Sequence, residues 1–149
     1  MGTTFRSLLS WGIETTAVEL VPSVVDAFDY YHADADAVRR NPRGHIVVDD
    51  GRRFLARSRE RYDLISLDPP PPVETAGSSL LYAEEFYALA KSRLAEGGIV
   101  HQWFPDGIDV EPAIRDAVLR AVRNSFPHVR VFRSLHGQGL HLLCSLHPI

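Results

Sequence analysis

Residues 62–69, Tyr62-Asp63-Leu64-Ile65-Ser66-Leu67-Asp68-Pro69, read as a strand that ends on a carboxylate and is stopped by proline. Two earlier stretches repeat the pattern: Thr16 to Leu20 is a buried strand closing on Glu19, and His45 to Val48 is a strand followed by Asp49, Asp50 and Gly51. Helical segments lie between them. Thr3 to Ser10 is a short helix ended near Gly12, and Pro22 opens another with Val24, Val25, Phe28 and Tyr31 on its core side and Asp26 and Asp29 opposite. A polar stretch through Asn41, Pro42 and Arg43 leads to the second strand, and Arg52 to Arg59 is helical. Strands alternating with helices imply an α/β fold with a parallel sheet and helical crossovers.

Downstream, Pro69 to Pro72 form an exposed loop of polyproline character, because four successive prolines can neither continue a strand nor share a regular helix. The Gly77-Ser78-Ser79 segment has the composition of a lid or an ordinary surface loop. Ala83 to Ala95 is a helix with Phe86, Leu89, Ala90 and Leu94 on one face and Gly97-Gly98 as its stop. Ile99 to Phe104 is the next strand, and Pro112 to Phe126 an amphipathic helix. Val129 to Phe132 and Leu140 to Ser145, separated by a segment containing Gly137 and Gly139, suit an antiparallel hairpin.

At 149 residues and 45% hydrophobic, the chain is sized for one domain spanning 1–149. Sixteen basic residues against 19 acidic ones, scattered without a stripe, argue against a nucleic-acid surface. No stretch reaches the length of a membrane span. The single cysteine, Cys144, sits in an apolar run, which excludes an intrachain disulfide and fits a reducing cytoplasm. The seven histidines show no metal-ligand spacing with the acids or Cys144, so no metal site is expected. Trp11, Trp103 and Phe104 are expected in a core or cleft wall, with Gln102 and Trp103 at a strand end that borders any ligand.

Ligands of open parallel sheets sit beyond the carboxyl ends of the strands, where helix N-termini point. Glu19, Asp50 and Asp68 all fall at such ends, and the expectation is that they face one crevice. An acid after the second strand is the usual acceptor for ribose hydroxyls. Each acid also has a plain reading: Asp50, before Gly51, caps the next helix; Glu19 is a solvated strand end; Asp68 forms a turn.

In their order and spacing, Val18-Glu19-Leu20, Asp50-Gly51-Arg52-Arg53-Phe54-Leu55, residues 62–69, Leu81-Tyr82-Ala83-Glu84-Glu85-Phe86-Tyr87 and Gly97-Gly98-Ile99-Val100 resemble the spermidine synthases. The likeness runs from Gly2 to about Phe104 and more loosely to Ser145. It implies a Rossmann-like three-layer sandwich of the class I methyltransferase type, with a mostly parallel sheet, a C-terminal antiparallel hairpin and the first strand missing. Met1-Gly2-Thr3-Thr4 matches only the tail of the family's glycine-rich loop, so a fragment of a longer parent is expected.

The implied reaction is aminopropyl transfer, in which a diamine nitrogen attacks the methylene beside the sulfonium of decarboxylated S-adenosylmethionine and releases methylthioadenosine. By position, Glu19 would hold the ribose, Asp50 the adenine amino group, and Gly2 and Gly51 would line the nucleoside site. Asp68 would orient and deprotonate the amine, and Tyr82 would line its pocket. The resemblance implies no tightly bound cofactor, S-adenosylmethionine or its decarboxylated form as cosubstrate, a polyamine or other amine as partner, and a homodimer as a candidate assembly. One position departs from the pattern: the family's second aspartate after this strand is Pro71 here, and Glu74 is either a substitute or a solvated loop acid. Methyl transfer to a small molecule, or nucleoside binding without catalysis, are the alternatives on the same scaffold.

Overall fold

The computed structural model of the chain describes residues 2–69, 77–105, 110–135 and 139–149. It divides into two compact units, one ending at Arg57 and the other beginning at Ser58, each with its own sheet. Glu74, Pro70 to Pro72 and residues 136–138 of the hairpin connection lie outside the described residues.

The first unit runs α1 (Thr3–Ser10), β1 (Thr15–Glu19), α2 (Pro22–Asp26), α3 (Phe28–Tyr31), α4 (Ala35–Arg39), β2 (Gly44–Val48) and α5 (Gly51–Arg57). β1 and β2 pair in parallel from Thr15 opposite Gly44 to Glu19 opposite Val48. Phe5 and Leu9, one helical turn apart on α1, join Phe28, Ala35 and Val38 in a core against Ala17 and Ile46 of the strands. The single helix expected from Pro22 is broken into α2 and α3, so its periodicity fails after Phe28 and Tyr31 is exposed. The polar stretch that leads into β2 contains α4. Its charges hide Ala35 and Val38, three residues apart and both buried, while Arg39 bonds Asp29 at 2.7 Å and Arg6 bonds Asp34 at 2.8 Å. Trp11 is exposed rather than in a core or cleft wall, because it follows the end of α1 beyond Leu9, the last inward position.

The second unit runs β3 (Tyr62–Leu67), a 3-10 helix (Ser78–Tyr82), α6 (Glu84–Ser92), β4 (Leu94–Phe104), α7 (Pro112–Ser125), β5 (His128–Arg133) and β6 (Leu140–Ser145). Its strand order is β3-β4-β6-β5. β3 and β4 are parallel, and the expected hairpin places β5 and β6 antiparallel, with β6 also antiparallel to β4. Alternate residues Val100, Gln102, Phe104, Leu142 and Cys144 are fully buried on one face, where Tyr87 and Ala90 of α6 and Val118 and Val122 of α7 complete the core. Gly97-Gly98 does not stop α6. The helix ends at Ser92, and Gly97, at φ +73°, lies inside β4 where the register against β3 shifts between Tyr62 and Leu64. Cys144 is buried as expected, and burial pushes its thiol up to about 12.

Candidate active site

In the first unit, α1 runs back along β1. A Cβ on Gly44, at the start of β2, would meet Leu9 near the end of α1, while one on Gly2 would lie 2.6 Å from the ring of Phe28, which follows β1. The N-terminus of α1 therefore lies at the end of the sheet where Glu19 and Asp50 sit. Gly2 has φ +68° and precedes the first helical residue, so both its conformation and the Phe28 ring exclude a side chain. Gly2→Ala is expected to cost about 1–3 kcal/mol in a urea unfolding titration, from left-handed strain and displacement of Phe28.

Glu19 is the last residue of β1 and half-buried, and its Oε1 accepts the Val21 N–H at 2.9 Å, which turns the carboxylate over the strand end. Asp50 is half-buried, and its Oδ1 accepts the Arg53 N–H at 2.8 Å, capping α5. A side chain at Gly51 would meet nothing within 4 Å, so the ground in front of α5 is open. The structure thus brings Gly2, Glu19, Asp50 and Gly51 to one end of the two-stranded parallel sheet.

The buried acid at this end is Asp49, which sequence reasoning passed over. It is 8% exposed and gathers the Asp50 N–H at 2.8 Å, the Arg53 Nε at 2.6 Å and the Arg57 guanidinium. The signal was legible as arginines four and eight residues on, sharing a face of α5. The hydrogen bond from Arg53 is the main force holding the Asp49 carboxyl below the ordinary carboxylate range; the Asp50 N–H and the charges of Arg53 and Arg57 add to it, and burial opposes it. A lowered folded value means that its stabilisation is complete above the unfolded value of about 3.9 and is lost as acid carries the pH down through the folded value. Asp49→Asn is accordingly expected to flatten the acid limb of a stability-against-pH curve below about pH 4; a limb of unchanged steepness would contradict this.

In the second unit, Asp68 is exposed directly after β3. Tyr82 is 4% exposed; its hydroxyl donates to the Pro69 carbonyl at 3.3 Å, and its ring meets Phe104 edge-on at 6.0 Å. Tyr82 thereby braces the backbone beside Asp68 at the carboxyl end of β3. Ser78, in the segment with lid composition, is buried in the 3-10 helix. Gln102 does not border open space: it is fully buried and accepts the Tyr87 hydroxyl at 2.9 Å. A depression of about 450 Å³ beside Arg61, Lys91, Leu94 and Glu96 lies at the amino ends of β3 and β4, away from Asp68.

Among the described residues, no group of three or more His, Cys, Asp or Glu side chains is placed to hold a metal ion, and no helix is long and apolar enough to cross a membrane.

A family model described as the spermine/spermidine synthase domain matches residues 2–135. A polyamine aminopropyltransferase of Sulfurisphaera tokodaii is 32% identical over 104 residues, covering 68% of this chain and 34% of that protein. The spermidine synthase structure from Thermotoga maritima superimposes with a TM-score of 0.77 at 23% identity, covering 98% of this chain and 50% of that one. Human methyltransferase-like protein 13, solved in complex with SAH, gives 0.70 at 22% identity, covering 89% of this chain and 60% of that one. These structural likenesses establish the methyltransferase-type α/β fold. The chain spans about a third of the curated relative's length and half of the Thermotoga structure.

Proposed function

Because the chain belongs to the spermine/spermidine synthase family, we propose that it carries the adenosyl-binding and amine-activating residues of an aminopropyltransferase. In this reading Glu19 accepts both ribose hydroxyls, Asp50 accepts the adenine amino group, and Gly2 and Gly51 leave the nucleoside its room. Asp68 binds the cationic amine and takes the proton that leaves its nitrogen as the new C–N bond forms and methylthioadenosine departs. Tyr82 bounds the amine pocket. Decarboxylated S-adenosylmethionine is the donor, a polyamine or other small amine the acceptor, and residues 1–149 act as one cytoplasmic methyltransferase-like domain.

The observation that carries the reading is the shared end of β1 and β2, where two half-buried carboxylates and the N-terminus of α1 lie together. Carboxylates suit hydroxyl and amino donors, and helix amides suit electron-rich ligand atoms. The deciding experiment offers the chain decarboxylated or ordinary S-adenosylmethionine with a panel of polyamines. Turnover with the decarboxylated donor alone supports aminopropyl transfer, while turnover with the ordinary donor alone excludes it in favour of methyl transfer. Pro71 motivates a second reading, nucleoside binding without catalysis, because it removes an anion expected to hold the diamine. Methylthioadenosine binding with no turnover from either donor supports that one.

A further inference from the structure

The half-exposed face of the four-stranded sheet carries an unbroken string of hydrogen bonds that the proposed reaction does not use. Ser66 Oγ lies 2.9 Å from Nδ1 of His101, Nε2 of His101 lies 2.9 Å from Nδ1 of His141, and Nε2 of His141 lies 2.9 Å from Ser134 Oγ. The string crosses β3, β4 and β6 and ends just after β5. Register explains it: Ser66 sits opposite His101, while His141 sits opposite Trp103, which places the two imidazoles diagonally on one face. Their rings are within 18° of parallel, with centroids 5.2 Å apart.

All four ring nitrogens are engaged, so the proton count is restricted. Two neutral imidazoles can satisfy the string in either direction, with one hydrogen in the central link and the serine hydroxyls turning to suit. One added proton is also accommodated: each outer nitrogen donates to its serine, and the central hydrogen can sit on either ring. Two added protons are not, because Nε2–H of His101 and Nδ1–H of His141 would then point at each other across 2.9 Å.

Resting on the assignment of Asp68 as the amine's base, we propose that Ser66, His101, His141 and Ser134 form a one-proton relay serving Asp68, with His101 as its positioning residue. Asp68 lies two residues beyond Ser66, directly after the end of β3, and is near enough for its charge to act on His101. Movement of the central hydrogen from Nε2 of His101 to Nδ1 of His141 shifts the positive charge one strand away from Asp68 without adding or losing a proton. With the charge on His101, a cation lies beside the Asp68 carboxylate and competes with the amine for it. With the charge on His141, that competing cation is one strand farther away.

Burial, and then the neighbouring His141, hold His101 below the ordinary imidazole value, while the Asp68 charge opposes both. Besides Asp68 on the β3 side and His141 on β6, the ionisable groups in these rows among the described residues are Arg130 and His128 on β5, opposite Leu143 and Ser145. The sign follows for His101: its ring is neutral at high pH and takes up a proton below the ordinary imidazole range.

The test is an imidazole 15N NMR titration of the full chain from pH 8 to 5, for the wild type and Asp68→Asn, with His101→Gln and His141→Gln assigning the signals. Asp68 is exposed, so its substitution leaves the fold in place. The expected result is uptake of one proton by the pair, with both rings shifting together, and a midpoint lowered by about half a unit or more in Asp68→Asn. Uptake of two protons with an unchanged amide spectrum, no uptake by pH 5, or an unmoved midpoint in Asp68→Asn would each overturn the relay. None of these readings depends on nucleoside binding or turnover, so a failure of the proposed transfer shows separately, in the donor assay.

Discussion

Asp68→Asn is expected to lower aminopropyl transfer by about 10²–10⁴-fold, the range supplied by one positioned acid–base group, while methylthioadenosine affinity stays within about twofold. The separation follows from the division of labour. Asp68 stands exposed after β3, where an amide can still accept a hydrogen bond but can neither balance an ammonium charge nor accept its proton. The nucleoside is assigned to Glu19 and Asp50, which belong to the other compact unit. Parallel loss of transfer and of methylthioadenosine affinity would place Asp68 in a structural role. Steady-state rates with decarboxylated S-adenosylmethionine, alongside calorimetry with methylthioadenosine, provide both numbers.

Phe104→Ala is expected to destabilise the second unit by about 3–5 kcal/mol, the usual cost of truncating a fully buried aromatic side chain. Phe104 is 0% exposed at the end of β4, opposite Leu140 of β6. Its ring also supports Tyr82, which in turn holds the Pro69 carbonyl beside Asp68. The substitution therefore acts twice, through the cavity it leaves and through the loosened backing of Asp68, the proposed base. Denaturant unfolding measures the first effect; a Phe104→Leu variant, which keeps most of the volume, is expected to recover most of the stability but less of the transfer rate. A loss under about 1 kcal/mol for alanine would show that this corner of the core is not packed as described.

Much of this was legible in the residues. The strands announced themselves because each is a short apolar run closed by an acid or by glycine and proline, and all six fall within a few residues of their expected positions except β4, which begins five residues early at Leu94. Gly97-Gly98 misled because a glycine pair serves a helix stop and a strand bulge equally well, and only pairing with Tyr62 and Leu64 decides between them. The helix expected from Pro22 failed where the apolar spacing was right but the backbone broke at Ala27, which spacing does not report.

At the site, Asp50 was legible as a helix cap, and the structure shows that role directly, while the weight carried by Asp49 was hidden by the adjacent, more conspicuous Asp50-Gly51 pair. The histidine string was invisible for a different reason. His101 and His141 are 40 residues apart and meet only through the antiparallel register of β4 and β6, a tertiary fact with no local signature.

The claim on which the rest depends is that the Glu19 end of the β1–β2 sheet receives an adenosine. Titration calorimetry of methylthioadenosine into the wild type and Glu19→Gln measures it most directly. The account predicts one equivalent bound by the wild type and an affinity roughly 10- to 100-fold weaker in the variant, the worth of hydrogen bonds to a charged acceptor. Equal affinity in the two proteins, or no binding to the wild type, would contradict it.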